Sequence, residues 1–288
     1  MKIAVAGIGG VGGFVGGALA RQYPAETFFL ARGENKKRIA ENGLTLKSVK
    51  LGDFNAKPAC VTDDPCEIGV VDVILLTNKG HTLVDMCKQI SPMIAPHTIV
   101  VPLLNGVMVS EQAEPFLPPC VVADGTIHIF SNLAAPGTIE QTAGFCRIKV
   151  GLKNGETPSA LLELAERLSR CGVTTEVSDT IAADSWEKYV MMCGNSVVFG
   201  YYDGPAGFVR QQPDYEKVNR AVTRELIAVA KARGVDLPAS LVERRVREFK
   251  ELPPQTVTSL YRDLAFGKAA KDTELFHVVG RLVELADA

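Results

Sequence analysis

Six residues near the start of the chain have the types and the spacing of a phosphate-binding turn. They run Gly7-Ile8-Gly9-Gly10-Val11-Gly12. In such a turn the first glycine allows a tight bend, the second lets the backbone approach a pyrophosphate, and the third allows close packing of helix on strand. The helix that follows offers free N–H groups and the positive end of its dipole to phosphates. These six residues therefore predict a dinucleotide site.

The flanking sequence supports this prediction. Lys2–Ala6 is a short apolar run typical of a buried parallel strand, and an Ala/Leu/Val-rich helical stretch continues to about Gln22. The alternative is a glycine-rich loop without a ligand. The order strand, glycine turn, helix favours the dinucleotide site over that alternative.

A cation stands where the choice between the two nicotinamide dinucleotides is made. The predicted strand Thr27–Leu30 ends in Ala31-Arg32-Gly33, about twenty residues past the glycines, where an NAD site has Asp or Glu on the ribose 2′-OH. The guanidinium of Arg32 can pair with a 2′-phosphate, so the sequence predicts NADPH. Lys36 and Lys37 follow one turn later and fit solvated surface cations equally well.

Two further polar residues follow predicted buried strands. Lys79 comes after the strand 70–77, and Asn105 comes after the strand 98–104. Ligands of open α/β sheets bind outside the carboxyl ends of the strands, so both side chains are candidates for cofactor binding. For Asn105 the alternative is a plain turn, because Asn-Gly is a turn signal by itself.

The second half of the chain carries one stretch that chemistry could use. Residues 184–196 include Trp186, the only tryptophan, and Lys188, and are almost entirely apolar after that lysine. The pattern predicts a buried helix. From the helix alone, the simplest interpretation of Lys188 is a buried stem whose ammonium group reaches water.

The elements that would position these residues change character near residue 180. Up to that point strands alternate with helices, including a helix at Pro158–Cys171 and a last strand at Thr174–Val177. Everything onward reads as helical. The predicted helices are Ile181–Phe199, Asp214–Arg233, Ser240–Glu251, Gln255–Phe266 and Asp272–Ala286. We predict an α/β chain with a Rossmann-type dinucleotide-binding domain at 1–180 and an all-helical domain at 181–288.

Composition excludes several other classes. The net charge of −2 and the lack of a basic run argue against nucleic acid, and no apolar stretch is long enough to cross a membrane. The first predicted strand leaves no room for a signal peptide, so we expect a cytoplasmic protein. The seven cysteines show no CxxC spacing and the four histidines no ligand spacing, so we expect reduced thiols and no metal site.

These motifs, taken in order, resemble the ketopantoate reductases (2-dehydropantoate 2-reductases) over essentially the whole chain. The matching residues are the glycine turn, Arg32, Asn78-Lys79, Leu104-Asn105-Gly106-Val107, Trp186-Glu187-Lys188, Thr273-Glu274 and Gly280. The resemblance implies NADPH-dependent reduction of 2-dehydropantoate to pantoate in pantothenate biosynthesis. A homodimer is left open.

The resemblance also implies roles for individual residues. Lys79 would lie by the cofactor and Asn105 where nicotinamide meets substrate. Lys188 would be the general acid, and Glu274 would hold its ammonium group or bind a substrate hydroxyl. Ser259 would bind substrate from the helical domain.

The chain departs from the family at substrate positions. Where the family usually has Asn four and eight residues after its lysine, this chain has Met192 and Ser196. Asn195, seven residues after the lysine, returns to nearly the same helix face about 10 Å along the axis, so Asn195 and Ser196 are both candidate substrate ligands. Thr256 replaces an Asn ahead of Ser259.

Two alternatives follow from these departures. One is a reductase of the same family that acts on a different 2-keto or 3-hydroxy acid. The other is a non-catalytic NADPH-sensing protein. Retention of Lys188 and Glu274 argues against a sensor, because a sensor needs neither residue.

Overall fold

The computed structural model describes residues 1–287 of the 288-residue chain. The chain divides into two compact units. The first contains Met1–Leu104 and Met108–Ile181, and the second contains Asn105–Val107 and Ala182–Ala288. The predicted functional boundary at residue 180 stays a prediction.

The first unit alternates strands and helices, as the sequence predicts. Its strands are β1 (Ile3–Ala6), β2 (Thr27–Leu30), β3 (Leu44–Ser48), β4 (Phe54–Ala56), β5 (Cys60–Thr62), β6 (Val73–Leu76), β7 (Ile99–Pro102), β8 (Val121–Val122), β9 (Asp124–His128), β10 (Ser131–Ala135), β11 (Thr138–Gln141), β12 (Arg147–Gly151) and β13 (Thr174–Val177). Its helices are α1 (Gly10–Gln22), α2 (Gly33–Asn42), α3 (Pro65–Ile68), α4 (Leu83–Ile90), α5 (Val109–Ala113) and α6 (Ser159–Arg170).

The central sheet is parallel throughout and has the order β5-β2-β1-β6-β7-β8. Strands β1, β6 and β7 are buried along their whole length, which explains their unbroken apolar sequences. The chain passes from β1 to β2 on one side and later to β6 on the other. The carboxyl end of β1 is therefore the switch point at which such sheets bind ligands.

The antiparallel strands between residues 124 and 151 do not extend the central sheet. They build two smaller sheets, with the orders β10-β11-β3-β4 and β13-β12-β9. Their exposure fits this placement. Strand β10 is exposed at four of its five residues, and β11 alternates between buried and less buried residues. The β10–β11 hairpin therefore has a solvated face, which suits an outer layer rather than a sheet covered on both faces.

The second unit is helical in the part of the chain that the structure describes. Its helices are α7 (Ile181–Tyr202), α8 (Ala206–Val209), α9 (Tyr215–Ala232), α10 (Leu241–Glu251), α11 (Ser259–Ala265) and α12 (Arg281–Asp287). The sequence predicts one continuous helix at 272–286, but a π-helical turn at Phe276–Gly280 precedes α12. Helix α11 begins at Ser259 rather than at 255, because the Thr258 hydroxyl caps the N–H of Tyr261.

Aromatic rings form part of the core of the second unit. Phe199 packs on Phe249 with the ring centroids 5.4 Å apart, and Tyr215 lies 6.1 Å from Phe249. Residues 1–287 contain no helix that is long and apolar enough to span a membrane.

Candidate active site

The glycine turn leaves β1 in a conformation that requires glycine. Gly7 has a φ of +102°, its N–H donates to the Leu30 carbonyl, and a Cβ on it would lie 2.8 Å from the Asn78 backbone nitrogen. A Cβ on Gly12 would lie 2.2 Å from the Gly7 carbonyl oxygen. Both positions therefore pack backbone against backbone, as the sequence predicts for the first and third glycines.

The middle glycine differs from these two. A Cβ on Gly9 would meet nothing within 4 Å, and its φ of −100° is accessible to other residues. Gly9 caps α1 without a side-chain hydrogen bond, and the first turn of α1 carries no acidic residue. The open space and the available helix N–H groups fit a pyrophosphate, so this turn can hold a dinucleotide.

One residue that the sequence analysis missed braces this turn. The Asn35 side-chain amide donates to the Ile8 carbonyl at 2.7 Å, and its oxygen accepts from the Gly137 N–H at 2.7 Å. Asn35 thereby joins the glycine turn, helix α2 and the β10–β11 hairpin. The sequence offers only a weak signal for this role of Asn35, namely a polar side chain three positions after Arg32.

The predicted phosphate-binding cations are arranged unequally. Arg32 is exposed and immediately precedes α2, one residue past the buried Ala31 that follows β2. Lys36 forms an ion pair with Asp63 at 2.8 Å, so its charge already has a partner. Lys37 is exposed. Arg32 is therefore the better placed candidate for a 2′-phosphate.

Lys79 lies three residues past β6, beside the glycine turn in the sheet. It is exposed, and its carbonyl accepts from both the N–H and the hydroxyl of Thr82. The preceding residue, Asn78, is the one whose backbone approaches Gly7. The chain thus brings Lys79 to the switch-point end of the sheet, where a cofactor ligand is expected.

Three predicted residues meet in the second unit. The Lys188 ammonium donates to the Asn105 side-chain oxygen at 3.3 Å, and the Asn105 amide nitrogen donates to a Glu274 carboxylate oxygen at 3.0 Å. An ammonium can only donate and a carboxylate only accept, so this order sets the orientation of the amide. Asn105 therefore bridges the cation and the anion.

The environment of Lys188 suits it to proton transfer. The side chain lies on α7 and is 7% exposed, as is that of Glu274. Burial lowers the pKa of Lys188 from its ordinary 10.5 to about 8, and the Glu274 carboxylate opposes part of that decrease. A protonated amine with a pKa near the working pH is an efficient general acid. The interpretation as a lysine whose ammonium reaches water is wrong.

The remaining predicted substrate residues lie on the helices of the same unit. Asn195 is half-buried on α7, and Ser259 is exposed at the first position of α11. The Ser196 hydroxyl donates to the carbonyl of Met192 one turn earlier, at 2.8 Å. The hydroxyl proton of Ser196 is therefore already used, which leaves this position only as an acceptor.

A surface depression of about 690 Å³ in the second unit contains none of these residues. It is lined by residues 210–213, 215–217, 220 and 224. One of its arginines, Arg220, pairs with Glu216 at 2.8 Å and with Glu243 at 3.0 Å. Residues 1–287 also contain no cluster of His, Cys, Asp or Glu suited to a metal ion.

A glycine turn at the switch point of a parallel sheet, with a buried lysine bridged to a carboxylate in a helical unit, defines an NAD(P)H-dependent oxidoreductase. The chain belongs to the ketopantoate reductase family. The family model described as Ketopantoate reductase PanE/ApbA matches residues 3–155, and its C-terminal model matches residues 180–288. The predicted family, fold class and enzyme class are confirmed, and members of this family reduce 2-keto acids.

Individual relatives cover nearly the whole chain. The uncharacterized oxidoreductase YkpB of Bacillus subtilis is 27% identical over 99% of this chain and 92% of its own length. The 2-dehydropantoate 2-reductase of Mesorhizobium japonicum is 26% identical over 100% of this chain and 93% of its own length. The crystal structure of 2-dehydropantoate 2-reductase from Porphyromonas gingivalis is 28% identical, with a TM-score of 0.82 and coverage of 100% and 99%. D-mandelate dehydrogenase, 23% identical with a TM-score of 0.85, shares the fold.

Proposed function

We propose that this protein reduces 2-dehydropantoate to pantoate with NADPH, using Lys188 as the general acid. The observation that carries the proposal is the buried bridge Lys188–Asn105–Glu274. When bound, the reduced nicotinamide supplies the hydride that adds to C2 of the keto acid. Charge develops on the carbonyl oxygen, and the Lys188 ammonium stabilises it and donates the proton that completes the hydroxyl group.

In this proposal Asn105 and Glu274 keep the Lys188 ammonium group protonated and hold it in position. A buried ammonium loses its hydration and keeps its proton only when hydrogen bonds and an opposite charge replace the water. The amide oxygen of Asn105 supplies the hydrogen bond, and the Glu274 carboxylate supplies the charge. We propose that Glu274 also accepts a substrate hydroxyl, as the family resemblance implies, beside its contact with Asn105.

The proposed cofactor is NADPH bound at the glycine turn. Support comes from the open space at Gly9, the uncapped start of α1 and the exposed guanidinium of Arg32. We propose that Ile8, Gly10 and Val11 complete the turn against the phosphates, and that Lys79 and Asn105 contact the cofactor as the family resemblance implies. The solved structure of D-mandelate dehydrogenase is a complex with NADH, so titration with both dinucleotides is the test of the preference for NADPH.

A second substrate class has its own support. Met192 stands one helical turn beyond Lys188, and the Ser196 hydroxyl proton is bonded to the Met192 carbonyl. This face of α7 therefore offers a thioether where a hydroxylated substrate would want a donor. It favours a 2-keto acid with an apolar side chain, and D-mandelate dehydrogenase, solved in complex with anilino(oxo)acetate, shares the fold.

The test of the function is NADPH oxidation against a panel of 2-keto acids that includes 2-dehydropantoate and phenyl- and alkyl-substituted analogues. The proposal expects the highest kcat/KM for 2-dehydropantoate. A preference for an apolar analogue would select the second substrate class. No turnover with any 2-keto acid would overturn the proposed activity. Asn195 and Ser259 remain proposed substrate ligands. Cell fractionation would test the predicted cytoplasmic location, and light scattering would decide whether the chain forms the homodimer that the sequence leaves open.

The cofactor choice is tested at Arg32. Arg32→Ala should weaken NADPH binding about ten- to a hundredfold, because a charge-assisted bond to phosphate contributes about 1.5–3 kcal/mol, and should leave NADH binding nearly unchanged. Titration of both dinucleotides measures this. Arg38→Ala is a matched control, since Arg38 is an exposed α2 arginine paired with Glu34. Equal affinities of the unmutated protein for NADPH and NADH would contradict the proposal.

A further inference from the structure

A hydrogen bond ties α7 to the π-helical turn that follows Glu274. The Tyr189 hydroxyl donates to the Val278 carbonyl at 2.5 Å, and the Cys193 thiol lies 3.7 Å from the same oxygen. Val278 is in the middle of the turn Phe276–Gly280. Single π-helical turns inserted before an α-helix often occur at functional sites, where they shift the register of the preceding residues.

Tyr189 is built as a permanent donor. Its ring is fully buried and packs edge-to-face on Trp186, with centroids 5.6 Å apart and planes at 89°. Burial raises the pKa of the Tyr189 hydroxyl far above its ordinary value, so the group keeps its proton at every pH at which the enzyme could work. A buried hydroxyl in such a place needs its partner, and the Val278 carbonyl is that partner.

The contact closes a ring of hydrogen bonds. From Tyr189 it passes to the Val278 carbonyl, and the Val278 N–H donates to the Glu274 carbonyl at 2.8 Å. The Glu274 carboxylate accepts from Asn105, and Asn105 accepts from Lys188, the residue next to Tyr189. The backbone that carries the carboxylate and the backbone that carries the ammonium are thus tied to each other at two points.

We infer that Tyr189 is a positioning residue, whose hydroxyl holds the π-helical turn so that Glu274 faces Asn105 and Lys188. The inference rests on the proposed role of Lys188 as general acid. Tyr189 touches no reacting atom, and it acts through the placement of Glu274. The aromatic ring of Tyr189 would fill the core even without its hydroxyl. The hydroxyl is therefore the part of the side chain that holds the π-helical turn.

The charged groups near the ring of hydrogen bonds determine how the pKa of Lys188 should respond when Tyr189 is changed. Burial and Glu274 act on the Lys188 pKa, and Asp184 lies one turn before Lys188 on the same helix. Arg281 and Glu284 of α12 act on Tyr189 with opposite signs. Glu274 is the carboxylate that raises the Lys188 pKa against burial. A displaced Glu274 therefore lowers that pKa further.

Tyr189→Phe tests the inference because it removes only the hydroxyl and keeps the ring on Trp186. The general acid must be protonated, so turnover of the unmutated enzyme falls as pH rises through about 8, the pKa of Lys188. We call this decrease in turnover the alkaline limb of the pH profile. In the variant the midpoint of the alkaline limb should lie about half a pH unit lower. Its kcat at neutral pH should fall about two- to tenfold, with the affinity for NADPH unchanged.

Tyr202→Phe is the matched control. Tyr202 is on the same helix, and its hydroxyl donates to Asp214 at 2.8 Å, in a contact that does not involve the ring of hydrogen bonds. This variant should keep the pH profile of the unmutated enzyme. Melting temperatures of both variants show whether any change in rate follows a loss of fold.

The outcomes separate the two proposals. A shifted alkaline limb in Tyr189→Phe with an unchanged limb in Tyr202→Phe supports the inference. If Tyr189→Phe folds and keeps the limb of the unmutated enzyme, or shows only a lower melting temperature, Tyr189 is structural and the inference fails while the proposed function stands. If the unmutated enzyme reduces no 2-keto acid, the proposed function fails first.

Discussion

Lys188 is a charged residue that the second unit buries at a considerable free-energy cost. Its ammonium donates to the side-chain oxygen of Asn105, and the Asn105 amide donates to the Glu274 carboxylate. Such an arrangement contributes little to stability, because desolvation of the ion offsets much of the attraction. In the proposed mechanism its benefit is chemical, because a pKa of about 8 lets the ammonium donate a proton near neutral pH and recover it from water afterwards.

Lys188→Ala should lower kcat by a factor of about 10²–10⁴, the usual contribution of general acid catalysis. NADPH affinity and melting temperature should stay near those of the unmutated protein, since a general acid, the role proposed for Lys188, acts in the transition state. Steady-state kinetics, cofactor titration and thermal unfolding on one preparation measure all three. Lys217→Ala, at an exposed position of α9, is the control. Undiminished turnover with an intact fold would remove Lys188 from the mechanism.

At the scale of the element, the strand–turn–helix unit β1–α1 uses glycine in two ways: for close backbone packing and for the proposed approach of a pyrophosphate. Gly7 and Gly12 allow backbone to pack on backbone, and their replacement strains the fold itself. Gly9 faces open space, so packing among the described residues does not require a glycine here, and the proposed pyrophosphate supplies the reason. Because different glycines have these two roles, single substitutions can separate an effect on cofactor affinity from an effect on fold stability.

Gly9→Ala should reduce NADPH affinity at least tenfold and move the melting temperature by no more than about 2 °C. Gly12→Ala should instead destabilise the fold by about 1–3 kcal/mol, because its Cβ would lie 2.2 Å from the Gly7 oxygen and 2.3 Å from the Thr77 hydroxyl. Cofactor titration and thermal unfolding distinguish the two variants. A Gly9→Ala protein that binds NADPH like the unmutated protein would contradict a pyrophosphate at this turn.

At the scale of the whole molecule, the cysteines report on burial across both units. Cys66 is exposed, Cys60 and Cys120 are half-buried, and the others are buried and free: Cys87, Cys146, Cys171 and Cys193. Burial raises the thiol pKa to about 11 for Cys87, Cys171 and Cys193, and to about 12 for Cys146. Thiolate is the reactive form, so burial protects these four twice.

A thiol reagent at mildly alkaline pH should therefore modify Cys66 fast, Cys60 and Cys120 slowly, and the four buried thiols only after unfolding. Absorbance of the released chromophore, read with and without denaturant, counts each class. Without any reductant, all seven thiols should react in denaturant. A smaller count would reveal a disulfide and would contradict the expectation of reduced cysteines.

The features that the sequence determined by itself are local in the chain. The glycine turn, its flanking strand and helix, and Arg32 lie within one strand–turn–helix–strand unit, where backbone sterics restrict the residue types. The change from alternating to helical elements near residue 180 is equally visible, because it is a change of hydrophobic periodicity. Lys188 and Glu274 were found through the order of family motifs, since periodicity alone suggested a lysine reaching water.

Only the tertiary structure decided how the distant residues combine. Asn105 and Glu274 are separated by 169 positions, and no local pattern records that one amide joins that carboxylate to Lys188. The π-helical turn and the Tyr189 contact replaced a helix that the sequence predicts as continuous. Local patterns report the preference of each segment for helix, strand or turn. The pKa of a buried lysine depends on which groups packing brings around it, and that is a property of the folded unit.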